Sequence, residues 1–513
     1  MDPHRHRAVQ YRTLSTKYSV RTVNISDYLL QHLEQRSGVP RNRQIYRLLR
    51  QAILDGVLAA DMRLPSSRDL ALQLAASRNT VLFAYQQLLA EGYLEARLNS
   101  GTFVAQKVPE PISLPSTRMT RSETAAPATL SERGKSLITR AGAGAQQWGA
   151  FVPGVPDLRR FPYQIWNSLQ TKIWRKPPVS ALVYGGGGGH LPLRQALAEY
   201  LGVSRSVTCE SGQVVITSGI HQSMDLCMRV LGDPGDLVWV EDPCYWGARN
   251  LLVASGLRIR PIRVDAEGIA PTEEDMKCVP RFIFVTPSHQ YPMGMVMSLA
   301  RRTMLLAYAR EHGCWIIEDD YDSEFRYAGR PLPSLQGMDQ HERVLYMGTF
   351  SKTMFPGLRL GYLVLPAMLA APFVTGMEEL YRSGQTPLQA TMHQFMVQGH
   401  FEAHIRRMRL LYGSRLDVLR QAIDAHGPAL GLEVAGSEAG LHLTLLLPQH
   451  ADDRCIAREA LAAGIAVRPL SDYFHDPASA QPGLILGYAC VDEPEMAPAF
   501  ATLAAIIADN LRQ

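Results

Sequence analysis

Apolar residues recur at helical spacing through 45–53. Ile45, Leu48, Leu49, Ala52 and Ile53 share one face, so a helix is expected there, with Gly56 to end it. Ser66 or Ser67 can cap a second helix carrying Leu70 and Leu74. After a short turn at Ala75 and Ala76, Ser77 can cap a third helix. Its apolar face is Val81, Ala84, Tyr85, Leu88 and Leu89, and Gly92 stops it. Residues 93–97 and 102–104, joined through Asn99, Ser100 and Gly101, read as a hairpin with a glycine turn. Three helices followed by a hairpin predict a winged helix-turn-helix.

Further along the pattern changes. Short apolar runs at 214–217, 236–241, 282–285 and 314–317 predict strands, and 192–201 and 220–231 carry helical spacing between them. Strands alternating with helices indicate an α/β fold with a mostly parallel sheet. The run from Leu360 to Met377 is interrupted by Pro366 and Pro372. It is expected to be a buried strand plus a turn and too broken for a membrane span. Residues 108–142 contain no aromatic residue, ten Ser or Thr and four Pro, which predicts a flexible linker. The expected division is therefore an N-terminal arm over 1–35, the winged helix over 36–107, the linker over 108–142 and the α/β part over 143–513.

Charge sharpens this division. The 513 residues carry a formal net charge of only +4. Residues 36–107 hold ten Lys or Arg against five Asp or Glu, a net of +5, and residues 1–35 add +2. The remainder is slightly acidic. A basic module before a linker is the footprint of a nucleic-acid reader. The seven cysteines form no paired spacing, which argues against a disulfide framework or a structural zinc site and for a reducing, cytoplasmic compartment. No metal and no membrane partner is expected.

Candidate chemistry lies at two places. Arg78, Asn79 and Thr80 open the polar side of the third helix, where recognition helices meet base edges; Arg suits guanine and Asn adenine. Arg63, Ser67, Arg68 and Gly101 suit phosphate or minor-groove contacts, and Tyr85 is included among the DNA-binding residues. In the α/β part, Ser218, Gly219 and Ile220 stand where a strand meets a helix N-terminus, a geometry that holds phosphate. Glu318-Asp319-Asp320-Tyr321 follows an apolar strand; its carboxylates could hold a metal, cap a helix or pair a cationic heterocycle. Thr349, Ser351 and Lys352 precede Arg359 by a few residues. Together these are the groups pyridoxal phosphate needs: a lysine for the imine, a carboxylate for the pyridine nitrogen, and hydroxyls, backbone and Arg for the phosphate.

The segments Leu64-Pro65-Ser66-Ser67-Arg68-Asp69-Leu70-Ala71, Ser77-Arg78-Asn79-Thr80-Val81, 85–93 and Ser100-Gly101-Thr102-Phe103-Val104 resemble the GntR-type winged-helix domain. Residues 143–513 resemble the class I aminotransferase, or fold-type I, family through Val215-Ile216-Thr217-Ser218-Gly219, Glu241-Asp242-Pro243-Cys244-Tyr245, Glu318-Asp319-Asp320-Tyr321 and the stretch from Ser351-Lys352 to Arg359-Leu360-Gly361-Tyr362. That resemblance implies a smaller α/β subdomain beside the main sheet. It implies that Lys352 carries the cofactor imine, Asp319 (or Asp320) faces the pyridine nitrogen, Tyr321 touches the phenolic oxygen and Tyr245 stacks on the ring. Ser218, Gly219, Ile220, Thr349, Ser351 and Arg359 would hold the phosphate, with Tyr184 contributed from a partner subunit.

Two departures stand out. Where many aminotransferases have Asn-Pro-x-Asn-Pro-Thr-Gly, this chain has Thr286-Pro287-Ser288-His289-Gln290-Tyr291-Pro292-Met293-Gly294. The usual carboxylate-binding Arg near the C-terminus falls near Ile485; Arg468 and Arg249 are the candidate effector-binding substitutes. The order of winged helix, linker and aminotransferase-like domain resembles the MocR subfamily of bacterial regulators. The resemblance implies a homodimer on a double-stranded DNA operator, with the pyridoxal-phosphate domain sensing the cofactor or an amino compound. The alternative is a working aminotransferase.

Overall fold

The computed structural model describes residues 24–33, 38–98, 100–107, 130–139, 148–329, 333–382, 384–436 and 439–512. The first 23 residues of the expected arm, Asn99 of the hairpin turn, and 108–129 and 140–142 of the expected linker lie outside the described residues. The chain divides into two compact units, Met1–Ala128 and Thr129–Gln513.

In the first unit, α1 (Ile25–His32) is capped by Asn24 and buries Ile25 and Leu29. Residues 25–32, expected as part of an arm, are therefore a helix of the same core; the apolar pair four residues apart needs a partner surface. Helix α2 (Arg41–Leu54) buries Ile45, Leu49, Ala52 and Ile53. Helix α3 (Ser67–Gln73) is capped by Ser66, whose hydroxyl accepts from Asp69 N, and α4 (Arg78–Ala90) by Ser77, which accepts from Thr80 N. Each such cap contributes about 1 kcal/mol. Strands β1 (Leu94–Arg97) and β2 (Gly101–Val104) pair antiparallel with Arg97 opposite Gly101. Gly101 has φ +112, a conformation a side chain resists.

The second unit begins with α5 (Glu132–Thr139), inside the span expected as linker. Ser131, counted there as linker composition, accepts from Gly134 N and caps this helix. Helices α6 (Tyr163–Arg175) and α7 (Leu191–Arg205) lead to β3 (Val214–Thr217) and α8 (Ile220–Leu231). Then come β4 (Leu237–Asp242), α9 (Trp246–Ala254), β5 (Arg258–Asp265), β6 (Gly268–Ile269), α10 (Glu273–Met276), β7 (Phe282–Val285), α11 (Leu299–His312) and β8 (Trp315–Asp320). After α12 (Leu335–Met338), β9 (Val344–Thr349) and β10 (Gly361–Val364) complete an eight-stranded sheet in the order β3-β10-β9-β8-β7-β4-β5-β6. Strands β9, β8, β7, β4 and β5 are parallel, and β10 is antiparallel to both β9 and β3. Strand β3 therefore runs in the sense of β9. The carboxyl ends of β3, β4, β8 and β9 open on one edge, where α/β sheets bind ligands.

Helix α13 (Ala367–Tyr381) corrects the turn expected after Val364. Pro372 removes one backbone bond, but Leu369, Phe373 and Met377 bury along one face and keep the helix. Among the described residues no helix is long and apolar enough to cross a membrane. Helices α14 (Thr386–Val397) and α15 (His400–His426) lead to β11 (Glu433–Ala435), β12 (His442–Leu446), α16 (Asp453–Ala462), β13 (Arg468–Pro469), β14 (Gly483–Gly487) and α17 (Glu493–Leu511). The second sheet, β11-β12-β14-β13, is antiparallel throughout and forms the smaller subdomain.

Candidate functional site

Successive side chains of a strand point to opposite faces, and β8 separates three carboxylates this way. Glu318 accepts from Leu335 N and Gln336 N and caps α12. Asp320 Oδ2 accepts from Arg205 Nε at 2.6 Å and from Tyr346 Oη at 2.6 Å, so it is the carboxylate of a buried ion pair. Asp319, between them, turns the other way into a cavity of about 320 Å³ at the carboxyl edge of the sheet. Its Oδ1 is buried without a hydrogen-bond partner. Burial, then the Asp320 charge, pushes its pKa up to about 8, against the pull of Lys352.

The same cavity is lined by Lys352, Tyr321, Tyr245, Ile220, Thr349, Ser351, Arg359 and Arg468. All were singled out in the sequence. Lys352 Nζ donates to Gly154 O at 2.8 Å; burial lowers its pKa, opposed by Asp322 and Asp319. Thr349 ends β9, and its hydroxyl accepts from Ser351 N, which turns the chain toward Lys352. Arg359 holds a left-handed φ of +49 at the end of a 3-10 turn, a strained setting for a non-glycine residue. Ser218 lines an adjoining cavity of about 190 Å³ that shares Arg359. Gly219 immediately precedes α8 at φ +109, with its absent Cβ position 3.8 Å from the Arg359 guanidinium.

Two expected residues lie elsewhere. Tyr184 is 84% exposed and lines no part of the cavity. Arg249 does not line the cavity: its guanidinium donates to the carbonyls of Phe474 at 2.7 Å and Asp472 at 3.1 Å. Lying one turn into α9 from Tyr245, it anchors the 472–474 loop instead.

The cavity also includes residues that sequence reasoning missed: His221, Trp246, Tyr291 and Pro356. His221 Nε2 is 3.2 Å from Tyr245 Oη, and Tyr291 meets both Tyr245 and Tyr321 edge-on. Gly154 was missed too, although Pro153-Gly154 is a turn signal; its φ is +70 and a Cβ there would sit 2.8 Å from Lys352 Nζ. Behind Tyr321, His289 Nδ1 lies 3.0 Å from the Tyr321 hydroxyl and 3.2 Å from each Asp322 oxygen. His289, Asp322 and His442 bring ligand-type atoms within 4.8 Å of one another. Hydrogen bonds already account for the Asp322 side of this group, and His442 Nε2 faces Pro292 O at 3.2 Å.

In the first unit, Arg78 and Asn79 are exposed at the start of α4, and Arg63, Arg68 and Gly101 are exposed as well. Ser67 and Thr80 are half-buried, and Thr80 Oγ1 pairs with the capping hydroxyl of Ser77 at 2.7 Å. Gly101 lets the wing pack on Arg63, whose Nε would lie 3.2 Å from a Cβ there. Tyr85 is corrected. It is buried in the core, and its hydroxyl donates to Pro65 O at 2.9 Å, so it has no face left for DNA.

These two sites agree with what the chain is similar to. The model of the bacterial regulatory proteins, gntR family, matches residues 41–104, and that of aminotransferase class I and II matches 178–496. The probable rhizopine catabolism regulatory protein MocR of Rhizobium meliloti is 40% identical over 466 residues, 90% of this chain and 93% of that protein. The HTH-type pyridoxine biosynthesis transcriptional regulator PdxR of Corynebacterium glutamicum is 29% identical over 88% of this chain and 92% of its own. Among solved structures, Pyrococcus horikoshii kynurenine aminotransferase, in complex with PMP, superposes with a TM-score of 0.66 at 27% identity, covering 78% of this chain and 99% of its own. The α-aminoadipate aminotransferase LysN of Thermus thermophilus gives 0.67 at 26% identity, covering 74% and 98%. With a GntR-type winged helix ahead of a fold-type I domain, and with such similarity along nine-tenths of its length, the chain belongs to the MocR subfamily of DNA-binding transcriptional regulators.

Proposed function

We propose that the aminotransferase-like domain binds pyridoxal phosphate at Lys352 and makes the regulator responsive to the cofactor or to an amino compound. The observation that carries this is the pairing in one cavity of a half-buried lysine, Lys352, with a buried carboxylate, Asp319, that has an unpartnered oxygen. The donor set fits the group. Asp319 would stand against the ring nitrogen, Tyr321 against the phenolic oxygen and Tyr245 against the ring face. Gly219, Ile220, Ser218, Thr349, Ser351 and Arg359 would hold the phosphate at the N-terminus of α8. When bound, the cofactor supplies an aldehyde that condenses with amines and a ring that accepts electrons.

The chain's own residues do the rest. Burial and the Gly154 carbonyl hold the Lys352 amine in place. Arg468 on β13 enters the cavity as a fixed cation, suited to the carboxylate of an amino compound. Tyr184, exposed on its own chain, is proposed to reach the phosphate side in a second copy, so that the regulator works as a homodimer. In that dimer Arg78 and Asn79 would read bases in two half-sites, while Arg63, Ser67, Arg68, Thr80 and Gly101 would fix the register on the backbone. A ligand acts on DNA affinity only through differential affinity for two states of the large domain.

The test is an absorption titration of purified protein with pyridoxal phosphate, followed by operator binding with candidate amines. A visible band that disappears in Lys352→Ala, together with amine-dependent DNA affinity, is expected. Multiple turnovers of an amino donor with a keto acid, without any DNA affinity, would overturn this in favour of an aminotransferase.

A further inference from the structure

The segment that departs from the aminotransferase pattern puts an imidazole behind the cavity wall. His289 is buried, with Nδ1 facing the Tyr321 hydroxyl at 3.0 Å and both Asp322 oxygens at 3.2 Å. Carboxylate oxygens accept hydrogen bonds, and Nδ1 faces both oxygens of Asp322, so a ring hydrogen belongs on Nδ1. The other nitrogen, Nε2, is buried without a partner, which suits a bare lone pair better than an N–H. The ring cannot swing away. Gly440 has φ +84, and a Cβ there would fall 2.1 Å from His289 Cε1; the His442 ring packs 5.0 Å away on another side.

With its one hydrogen directed at Asp322, Nδ1 has no lone pair left to accept from the Tyr321 hydroxyl, whose hydrogen must therefore find another acceptor. The phenol hydrogen is then free to point into the cavity. We propose that His289, held in its Nδ1–H form by Asp322, is a positioning residue that aims the Tyr321 hydroxyl at the phenolic oxygen of bound pyridoxal phosphate. This deepens the cofactor reading and rests on it. It also gives the Ser288-His289-Gln290 stretch a task in place of the missing Asn.

The consequence is a pH signature. A hydrogen bond donated to the phenolic oxygen stabilises its anionic form and weakens its hold on the proton of the adjacent lysine-linked nitrogen. Without that donor the proton is held more tightly, and the pH midpoint of the visible band rises. Other charged or titratable groups face the same space. Asp319, His221, Tyr245, Tyr291, Arg359 and Arg468 line the cavity. Asp322 and His442 act on Lys352 from behind it, and Glu241 acts on Asp319 and Tyr321 from β4. Substitution of His289 keeps all of these residues but removes the partner of Asp322, so the double variant and His289→Asn are what isolate the effect carried through Tyr321.

The experiment is a pH titration of the visible band in full-length protein loaded with pyridoxal phosphate. Tyr321→Phe and His289→Phe should each raise the midpoint by about one pH unit. The double variant should shift no further than Tyr321→Phe alone. His289→Asn, whose amide places an N–H near the position of Nδ1, should return the midpoint toward wild type. A wild-type midpoint in His289→Phe, or additive shifts in the double variant, would overturn the proposal while leaving the cofactor reading intact; absence of any band in the wild type would overturn both. A nitrogen NMR spectrum of histidine-labelled wild-type protein, assigned with His289→Asn, tests the same point without His289→Phe: an Nε2–H tautomer at His289 would sink it.

Discussion

Asp319 and Asp320 are neighbours of one chemical type with opposite tasks, because a strand turns one toward the cavity and the other toward Arg205. Opposite consequences for stability are expected. Arg205→Met leaves the Asp320 carboxylate buried without its cation, with only the Tyr346 hydroxyl bonded to it, and should cost about 3–5 kcal/mol in chemical denaturation. Asp319→Asn in cofactor-free protein should stabilise, with a definite pH dependence. The folded-state pKa of Asp319, about 8, lies above the ordinary value of 3.8, so the folded state binds the extra proton between those limits. Wild-type stability therefore falls as pH rises through that window. The gain from Asp319→Asn should be small near pH 4 and largest at pH 8 and above, read as the difference in thermal midpoint. An equal gain at both pH values would count against a buried protonated Asp319.

At the scale of the element, α4 combines a capped start, an exposed polar edge and a buried apolar face. Ser77→Ala should cost about 1 kcal/mol of stability by removing the bond from Thr80 N. Arg78→Ala should leave stability nearly unchanged, cost about 1–3 kcal/mol of operator binding and relax sequence preference. A change confined to the slope of affinity against salt would instead mark Arg78 as a phosphate contact. Tyr85→Phe separates core from interface: the lost bond to Pro65 O should cost about 1 kcal/mol of stability and leave the salt slope of DNA binding as it was.

For the whole molecule, the decisive fact is that each unit has its own core. Leu29, Ile45, Leu49, Leu70, Val81, Leu88 and Val104 close on one another within the first unit. A fragment covering 24–107 should therefore unfold cooperatively in denaturant and keep salt-dependent DNA binding while losing any response to pyridoxal phosphate. A fragment without a cooperative transition would show that the small core depends on the large unit. The near-neutral total charge is the sum of this basic unit and a slightly acidic larger one.

The sequence by itself determined the winged helix, the α/β class and most of the cavity. Those features are written locally: caps at Ser66 and Ser77, a glycine at the hairpin, and apolar runs that end in Asp319 or Thr349. Periodicity also carried the helix at 25–32, through Ile25 and Leu29, but a charged arm hid it; the helix at 132–139 has no apolar stripe, and only the Ser131 cap marked it in a Ser/Thr-rich span. What only the tertiary structure decided is which side each polar group faces and what it meets there. Tyr85 found Pro65 twenty residues away, and Arg249 found the 472–474 carbonyls. His289 met Tyr321 and Asp322 beyond the carboxyl ends of the parallel strands β7 and β8. Such pairings depend on strand order and on close approaches at Gly154 and Gly440, where a Cβ would collide. No spacing along the chain encodes them, because the contacts join segments that only the folded sheet brings together.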